Sequence, residues 1–126
     1  MEKSEKGIDL KPNLVPQTTY WLVKDGTTIV GESRLRHALT PDLKLEGGHI
    51  GYVIRPSQRL QGNGKEILRL TMRKAKEMGF DKVLVTCDKD NIGSSKIIVA
   101  NGGILDGEGV SKRSKKLVQR YWVPIV

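Results

Sequence analysis

The sequence predicts a single α+β domain in which two main helices cover a mixed, mostly antiparallel β-sheet, in the order β-β-β-α-β-α-β-β. Short runs rich in β-branched and aromatic residues are separated by turn residues, which predicts the strands. One long segment has an apolar face at helical spacing, and a second is bounded by helix-capping residues. With 126 residues, the chain has the length of one domain.

The N-terminal residues 1–18 are polar and contain Pro12 and Pro16. They predict an extended entry segment, because proline and the absence of a helical period both disfavour a helix. We therefore expect the folded domain to cover residues 19–126.

A β-hairpin is predicted at the start of that domain. Thr19–Val23 and Thr27 to about His37 are the two strands, and Asp25-Gly26 is a dipeptide typical of the tight turn between them. Apolar or small residues alternate with polar ones along the second strand, so we expect one face of the sheet to be wetter than the other.

The middle of the chain predicts a strand, a helix and another strand. A loop from Thr40 to Gly48 precedes the strand His49–Ile54, and an amphipathic helix follows from about Gly62 to Met78. Lys82–Cys87 is continuously apolar after its first residue, as in a buried strand. This βαβ unit predicts that the two strands are parallel neighbours.

The C-terminal part predicts a second helix and two more strands. Ser94 or Ser95 is the candidate cap of the helix, which ends at Asn101. One strand starts at Ile104, and the last strand covers Leu117–Val123.

Composition narrows the possible partners. The formal net charge of +8 favours a polyanion, either nucleic acid or a phosphorylated cofactor. Aromatic residues make up only 5% of the chain, which disfavours stacking on single-stranded nucleic acid. A single cysteine, Cys87, with no apolar leader or membrane-spanning run, indicates a cytoplasmic protein, and the scattered histidines and cysteine predict no metal site.

The strand ending at Ile54 leads through a basic, glycine-rich loop into the amphipathic helix. The loop has the pattern Arg59-x-x-Gly62-x-Gly64, followed by Lys65. Unpaired amides at a helix N-terminus and the helix dipole both favour an anion, and glycines let the backbone approach it closely. The loop therefore predicts a pyrophosphate site, but it lacks the Lys-Ser or Lys-Thr of a P-loop and the first glycine of a dinucleotide fingerprint.

Two blocks of the sequence resemble the acetyl-CoA-binding core of the GNAT family of N-acetyltransferases. The first is Val53–Pro56 with Arg59-x-x-Gly62-x-Gly64, and the second is Asn91-x-x-Ser94 with Asn101-Gly102-Gly103. The chain is also similar to a bacterial subgroup known mainly as predicted acetyltransferases. The resemblance implies acetyl-CoA as co-substrate, and it implies a cofactor site formed by Tyr52, Val53, Ile54, Arg59, Leu60, Gln61, Gly62, Asn63, Gly64, Lys65, Asn91 and Ser94.

The catalytic residues are less well defined. Many members of the family have a glutamate base and a tyrosine acid where this chain has Thr86 and Ile98. Three local substitutes are considered: Glu32, His49 and Tyr52. A partly desolvated Glu32 would be a stronger base, but it could instead pair with a nearby arginine. Sheet parity places His49 on the face opposite Tyr52, and Tyr52 could protonate the leaving thiolate or be an ordinary core tyrosine.

We therefore expect an N-acetyltransferase that transfers the acetyl group directly from acetyl-CoA to an unidentified amine. Two other functions stay open, a non-catalytic acyl-CoA-binding module and a basic nucleic-acid-binding domain. The family fold usually has two helices near its N-terminus, which the polar residues 1–18 do not predict. Three explanations stay open: a minimal domain, a missing N-terminal segment, or a partner subunit that completes the acceptor site, as in a homodimer.

Overall fold

Two antiparallel β-sheets that diverge from a common corner form the framework of the protein. The computed structural model describes residues 3–4, 16–59 and 61–125. Its strands are β1 (Lys3–Ser4), β2 (Gln17–Lys24), β3 (Thr28–Arg36), β4 (Ile50–Ile54), β5 (Lys82–Asp88), β6 (Ile104–Val110) and β7 (Leu117–Pro124). Its α-helices are α1 (Pro41–Leu45), α2 (Asn63–Glu77) and α3 (Ile92–Ala100), and a 3-10 turn covers Pro56–Gln58.

The first sheet has the strand order β1-β2-β3-β4. Its central hairpin confirms the predicted turn, because Asp25 and Gly26 both have positive φ, at 56° and 71°. Most of residues 1–18 lie outside the described part of the chain. Within it, Lys3–Ser4 pairs with the start of β2. In β3, Ser33 and Leu35 are buried while Arg34 on the alternate face is exposed, as the period of two predicts.

The second sheet has the order β5-β7-β6, with β7 in the middle. Its register places Thr86 of β5 opposite Arg120 of β7, and Arg120 opposite Gly107 of β6. All pairings in both sheets are antiparallel among the described residues.

The corner between the sheets corrects the expectation that β4 and β5 are parallel neighbours. The backbone N–H of His49 donates to the carbonyl of Leu84 at 2.7 Å, and the N–H of Leu84 donates to Nδ1 of His49 at 2.9 Å. The ring of His49 thus accepts a hydrogen bond from a backbone N–H that would pair with β4 if the ladder between β4 and β5 were continuous. No ladder joins β4 to β5 in the part of the chain that the structure describes, so the two strands separate beyond this corner.

The segment before β4, expected to be a loop, contains the short helix α1. Thr40 caps it, with Oγ1 accepting from the N–H of Leu43 at 3.2 Å, and Pro41 occupies its first turn. The following Gly48 has φ +63°, and an added Cβ there would lie 2.4 Å from the carbonyl oxygen of Leu84. Only glycine allows this approach of the two sheets.

Helices α2 and α3 pack on one side of the framework and confirm the two main predicted helices. The hydroxyls of Ser33 and Thr71 lie 2.7 Å apart between β3 and α2. Helix α3 begins earlier than expected, because Asn91 rather than Ser94 or Ser95 caps it, accepting from the N–H of Ser94 at 3.1 Å. The core between helices and sheets contains Leu35, Ile50, Leu68, Met72, Ala75, Val83, Val85, Ile98, Tyr121 and Val123.

Candidate functional site

A groove opens where β4 and β5 separate, between the edge of β4 and the first turns of α2 and α3. We call it the α3 groove. It has a volume of about 380 Å³ and is lined by Tyr52, Val53, Ile54, Arg59, Gly64, Asn91, Gly93, Ser94 and Ile97. Seven of these nine residues belong to the predicted cofactor site; Gly93 and Ile97 are additions from the structure.

The glycine-rich loop shapes one end of the α3 groove. Gly62 has φ +81° and caps α2 without a side chain, so the first amides of the helix are left for an external acceptor. An added Cβ at Gly62 would have no heavy atom within 4 Å, whereas one at Gly64 would lie 2.5 Å from Cδ1 of Ile97. Gly62 therefore provides a left-handed backbone conformation and open space beside the helix start, and Gly64 lets α2 and α3 pack closely.

The other predicted loop residues have different surroundings. Asn63 is buried, and its Nδ2 donates to the carbonyl of Gln58 at 2.7 Å, which holds the loop closed. Gln61 and Lys65 are exposed beside the helix start. Arg59 is also exposed, and its Nε donates to the carbonyl of Ile54 at 3.1 Å. Leu60 lies outside the described residues.

The free edge of β4 forms one wall of the groove. β4 pairs with β3 along one edge, and beyond the His49 corner its other edge has no strand partner among the described residues. Backbone groups along such an edge can hydrogen-bond an extended ligand as an added strand would.

The hydroxyl of Tyr52 is the one buried side-chain polar atom without a hydrogen-bond partner in the part of the chain that the structure describes. Burial raises the pKa of Tyr52. The nearby Ser94 side chain opposes this rise, although it does not reach hydrogen-bond geometry, and Cys87 adds to it. The phenol thus keeps its proton at neutral pH and has an unused donor. An unpaired buried hydroxyl costs stability, so a ligand that pairs with it would be favoured.

A second groove adjoins the first, and we call it the arginine groove. Its volume is about 330 Å³, and its lining consists of Arg34, Arg36, Glu46, Gly47, Ile50, Gly51, Tyr52, Thr86, Cys87, Asp88, Asn91, Ser94 and Val118. Three residues, Tyr52, Asn91 and Ser94, line both grooves. These three define the junction, where a molecule in one groove would meet a molecule in the other.

Both signs of charge line the arginine groove. Nη1 of Arg36 donates to the carbonyls of Gly47 and Gly48 at 3.1 Å each. Burial, and then the charges of Arg34 and Arg113, lower the pKa of Arg36. Two carboxylates, Glu46 and Asp88, complete the charged lining.

Thr86 stands where the family resemblance places a base. Its Oγ1 accepts from the N–H of Gly47 at 2.9 Å, so it ties β5 to the segment before β4. Cys87 beside it has its pKa raised to about 11 by burial and by the charge of Asp88, so its thiol is protonated at neutral pH. Neither side chain is a base at neutral pH.

The structure separates two of the three predicted catalytic residues from the junction. His49 is buried, with Nδ1 accepting from Leu84 and its ring 5.2 Å from that of Phe80. Glu32 lies opposite Val53 in the sheet and lines a third groove with Val53, Ile54 and Arg55. It forms no ion pair with Arg34 or Arg36, the pairing considered from the sequence, within the described residues.

Two carboxylates that line the arginine groove were not identified from the sequence. Asp88 lies two residues beyond Thr86, so a period of two places both on one face of β5. The period of two along the strand is therefore the sequence signal for Asp88. Glu46 follows α1, and the capped start Thr40-Pro41-Asp42 was the signal that this segment is folded rather than an open loop.

The comparison with known families identifies the domain. A model of the acetyltransferase (GNAT) domain matches residues 2–104. The chain therefore belongs to the GNAT acetyltransferase family, which confirms the resemblance seen in the sequence.

Solved structures have the same fold. The protein yncA from Salmonella typhimurium, solved with its cofactor acetyl-CoA, is 12% identical with a TM-score of 0.64 over 79% of this chain and 60% of its own. A ribosomal-protein-S5-alanine acetyltransferase from Vibrio fischeri is 16% identical, with a TM-score of 0.70 over 86% and 62% of the two chains. A GNAT-family acetyltransferase from Bacillus anthracis is 18% identical, with a TM-score of 0.67 over 84% and 65%.

These similarities confirm the α+β fold class. The chain spans less than two thirds of the length of each of the three structures. No protein with a curated function matches the sequence. Within the described residues, no helix is both long and apolar enough to cross a membrane, and no cluster of His, Cys, Asp and Glu side chains is arranged to hold a metal ion.

Proposed function

We propose that this protein is an acetyl-CoA-dependent N-acetyltransferase that transfers the acetyl group directly to an amine. The observation that carries the proposal is the junction of the two grooves. A phosphate-favouring helix start lies in one groove, carboxylates line the other, and the unpaired hydroxyl of Tyr52 lies where they meet.

The α3 groove would hold acetyl-CoA, which the similar yncA structure contains. The first amides of α2, with Arg59 and Lys65 nearby, would bind the pyrophosphate, and the free edge of β4 at Tyr52 and Val53 would pair with the pantetheine arm. Asn91 already uses its Oδ1 to cap α3, so its contribution to the cofactor would come through its amide nitrogen.

The reaction needs three proton movements. Asp88 or Glu46, directly or through water, would take one proton from the ammonium, and the neutral amine then attacks the thioester carbonyl to form the new C–N bond. The C–S bond breaks as Tyr52 gives its proton to the leaving thiolate, and the second proton lost by the attacking nitrogen would return to the Tyr52 phenolate, directly or through water. Glu32 stays a candidate base if the acceptor reaches over Val53 into the third groove.

Isothermal titration with acetyl-CoA and with CoA tests the binding step. We expect both to bind, with a dissociation constant well below about a millimolar. Release of free thiol in the presence of an amine panel then tests transfer. Absence of binding to either ligand would contradict the proposal.

A non-catalytic acyl-CoA-binding module is the second candidate, because Thr86 is tied to Gly47 and the fully buried Ile98 replaces the family's tyrosine. It would bind acetyl-CoA and release no thiol with any amine. A basic nucleic-acid-binding domain would instead bind DNA or RNA with an affinity that falls steeply with salt.

Two further expectations stay predictions. A free cysteine, Cys87, favours a cytoplasmic location. A homodimer would be detected by light scattering coupled to size-exclusion chromatography.

A further inference from the structure

The wall of the arginine groove contains a guanidinium that the fold holds in place. Nη1 of Arg36 is fixed by two carbonyls, and the guanidinium lies beside Gly47 and Gly51. An added Cβ at Gly47 or Gly51 would lie 3.6 Å or 3.8 Å from Nη1. Because those two bonds use Nη1 only, the Nε and Nη2 donors of Arg36 have no protein acceptor among the described residues.

Positive charge in this wall is not balanced by the protein. Neither Arg34 nor Arg36 has a carboxylate within ion-pair distance in the part of the chain that the structure describes. Arg113 is 3.9 Å from Glu46 and almost fully exposed. Arg34 and Arg113 are close enough for their charges to disfavour the charged form of Arg36.

Two arginines that share a groove wall form a binding site for a planar or tetrahedral anion, because guanidinium groups donate paired hydrogen bonds to carboxylate and phosphate. The carboxylates of Glu46 and Asp88 in the same groove are suited to bind a positively charged ammonium group. Asp88 has no ion pair among the described residues. The groove therefore offers donors for an anion and acceptors for an ammonium in one lining.

We propose that the acceptor is an amine that also carries an anionic group, a carboxylate or a phosphate, which Arg34 and Arg36 bind while Asp88 and Glu46 face the ammonium. This inference rests on the proposed function. It selects amino acids and phosphorylated amines over polyamines, whose second positive charge would meet the arginines.

Matched pairs of acceptors test the charge requirement. Thiol release is measured for the standard amino acids against their α-amides, and for O-phosphoethanolamine against ethanolamine, with a polyamine as a cationic reference. We expect kcat/KM to be at least about tenfold higher for the anionic member of one of these pairs, since a hydrogen bond to a charged group supports such a factor. The pair that shows the difference identifies the anion as carboxylate or phosphate.

The variant Arg34→Gln tests the residue. Arg34 is exposed and bonds no backbone carbonyl among the described residues, so its loss removes charge with little structural effect, unlike the loss of Arg36. We expect KM for the anionic acceptor to rise about tenfold or more, with the uncharged partner and the affinity for acetyl-CoA unchanged. Arg73→Gln, an exposed arginine on α2 outside both grooves, is the matched control and should change none of these values.

The outcomes separate this inference from the proposed function. If acetyl-CoA does not bind, the proposed function is wrong, and the inference is wrong too because it rests on that function. If acetyl-CoA binds but the uncharged amines or the polyamine are acetylated as fast as the anionic ones, the inference alone is wrong. The same holds if acetyl-CoA binds and no anionic amine is either acetylated or bound by the CoA complex in calorimetry.

Discussion

At the scale of single residues, Tyr52 is one of three side chains that line both grooves, and its hydroxyl has no hydrogen-bond partner among the described residues. Its raised pKa keeps the phenol protonated at neutral pH, as an acid in catalysis requires. Tyr121, by contrast, lies 2.9 Å from Ser95 Oγ and donates to Gln119 Oε1 at 2.9 Å. The two hydroxyls therefore differ in what their removal should do.

We predict that Tyr52→Phe lowers kcat by about a hundredfold, the lower range for loss of a general acid, without lowering the melting temperature. Stability should be kept because the substitution removes a buried hydroxyl that has no partner. The control Tyr121→Phe should retain kcat and lose about 1 kcal/mol of unfolding free energy, as broken hydrogen bonds do. Equal kcat for wild type and Tyr52→Phe would show that the phenol is not the acid.

Gly62 tests the cofactor loop at the same scale. We predict that Gly62→Glu abolishes acetyl-CoA binding in calorimetry, because it places a carboxylate beside the helix start that would bind pyrophosphate. The space around Gly62 is open, so only the positive φ adds strain, on the order of 1 kcal/mol. Gly62→Ala carries the same strain without the charge and should still bind. Loss of binding in both variants would assign the effect to backbone strain.

At the scale of elements, the sheet corner depends on one neutral imidazole. Protonation at Nδ1 of His49 would break the bond from the N–H of Leu84. Burial lowers the pKa of His49 below its ordinary value of 6.5, so the unfolded chain takes up this proton more readily than the folded one. The contribution of His49 to stability is therefore complete above pH 6.5 and is lost as the pH falls through the lowered folded-state pKa.

We predict that the melting temperature drops as the pH is lowered from neutral to below 6.5, and that His49→Gln removes part of this drop while lowering stability at neutral pH. Differential scanning calorimetry across this range measures both effects. His37→Gln is the control, because the ring of His37 bonds Thr18 and neither His49 nor Leu84. An unchanged pH slope in His49→Gln would contradict this account of the corner.

Elements whose signals are local could be predicted from the sequence. The hairpin followed from Asp25-Gly26, and α2 from its apolar period and glycine-rich start. Helix α1 was missed because five residues are too few to show a period, although its cap was visible. The separation of β4 from β5 could not be predicted, since it depends on a bond between residues 35 positions apart.

The same distinction holds for the candidate site. Seven lining residues of the α3 groove were predictable because one loop, one strand end and one helix start supply them. The arginine groove combines β3, the segment after α1 and the end of β5, and only the fold shows that Arg36, Glu46 and Asp88 share it. The family resemblance places a base at the position of Thr86, but the hydroxyl of Thr86 accepts a hydrogen bond from the N–H of Gly47.

At the scale of the whole molecule, the two sheets meet at a corner and are covered by α2 and α3, while the gap between β4 and β5 stays open. A cofactor in that gap would bind the folded protein and not the unfolded chain. We therefore predict that acetyl-CoA at about a hundredfold excess over its dissociation constant adds about 2.7 kcal/mol to the unfolding free energy. A thermal melt should show a rise in melting temperature for wild type and Gly62→Ala, and none for Gly62→Glu.

Hydrogen exchange should slow at the free edge of β4 and the first turns of α2 and α3, because these are the backbone groups that the ligand would cover. Slowing confined to β6 and β7 would instead place the ligand outside the gap between the sheets.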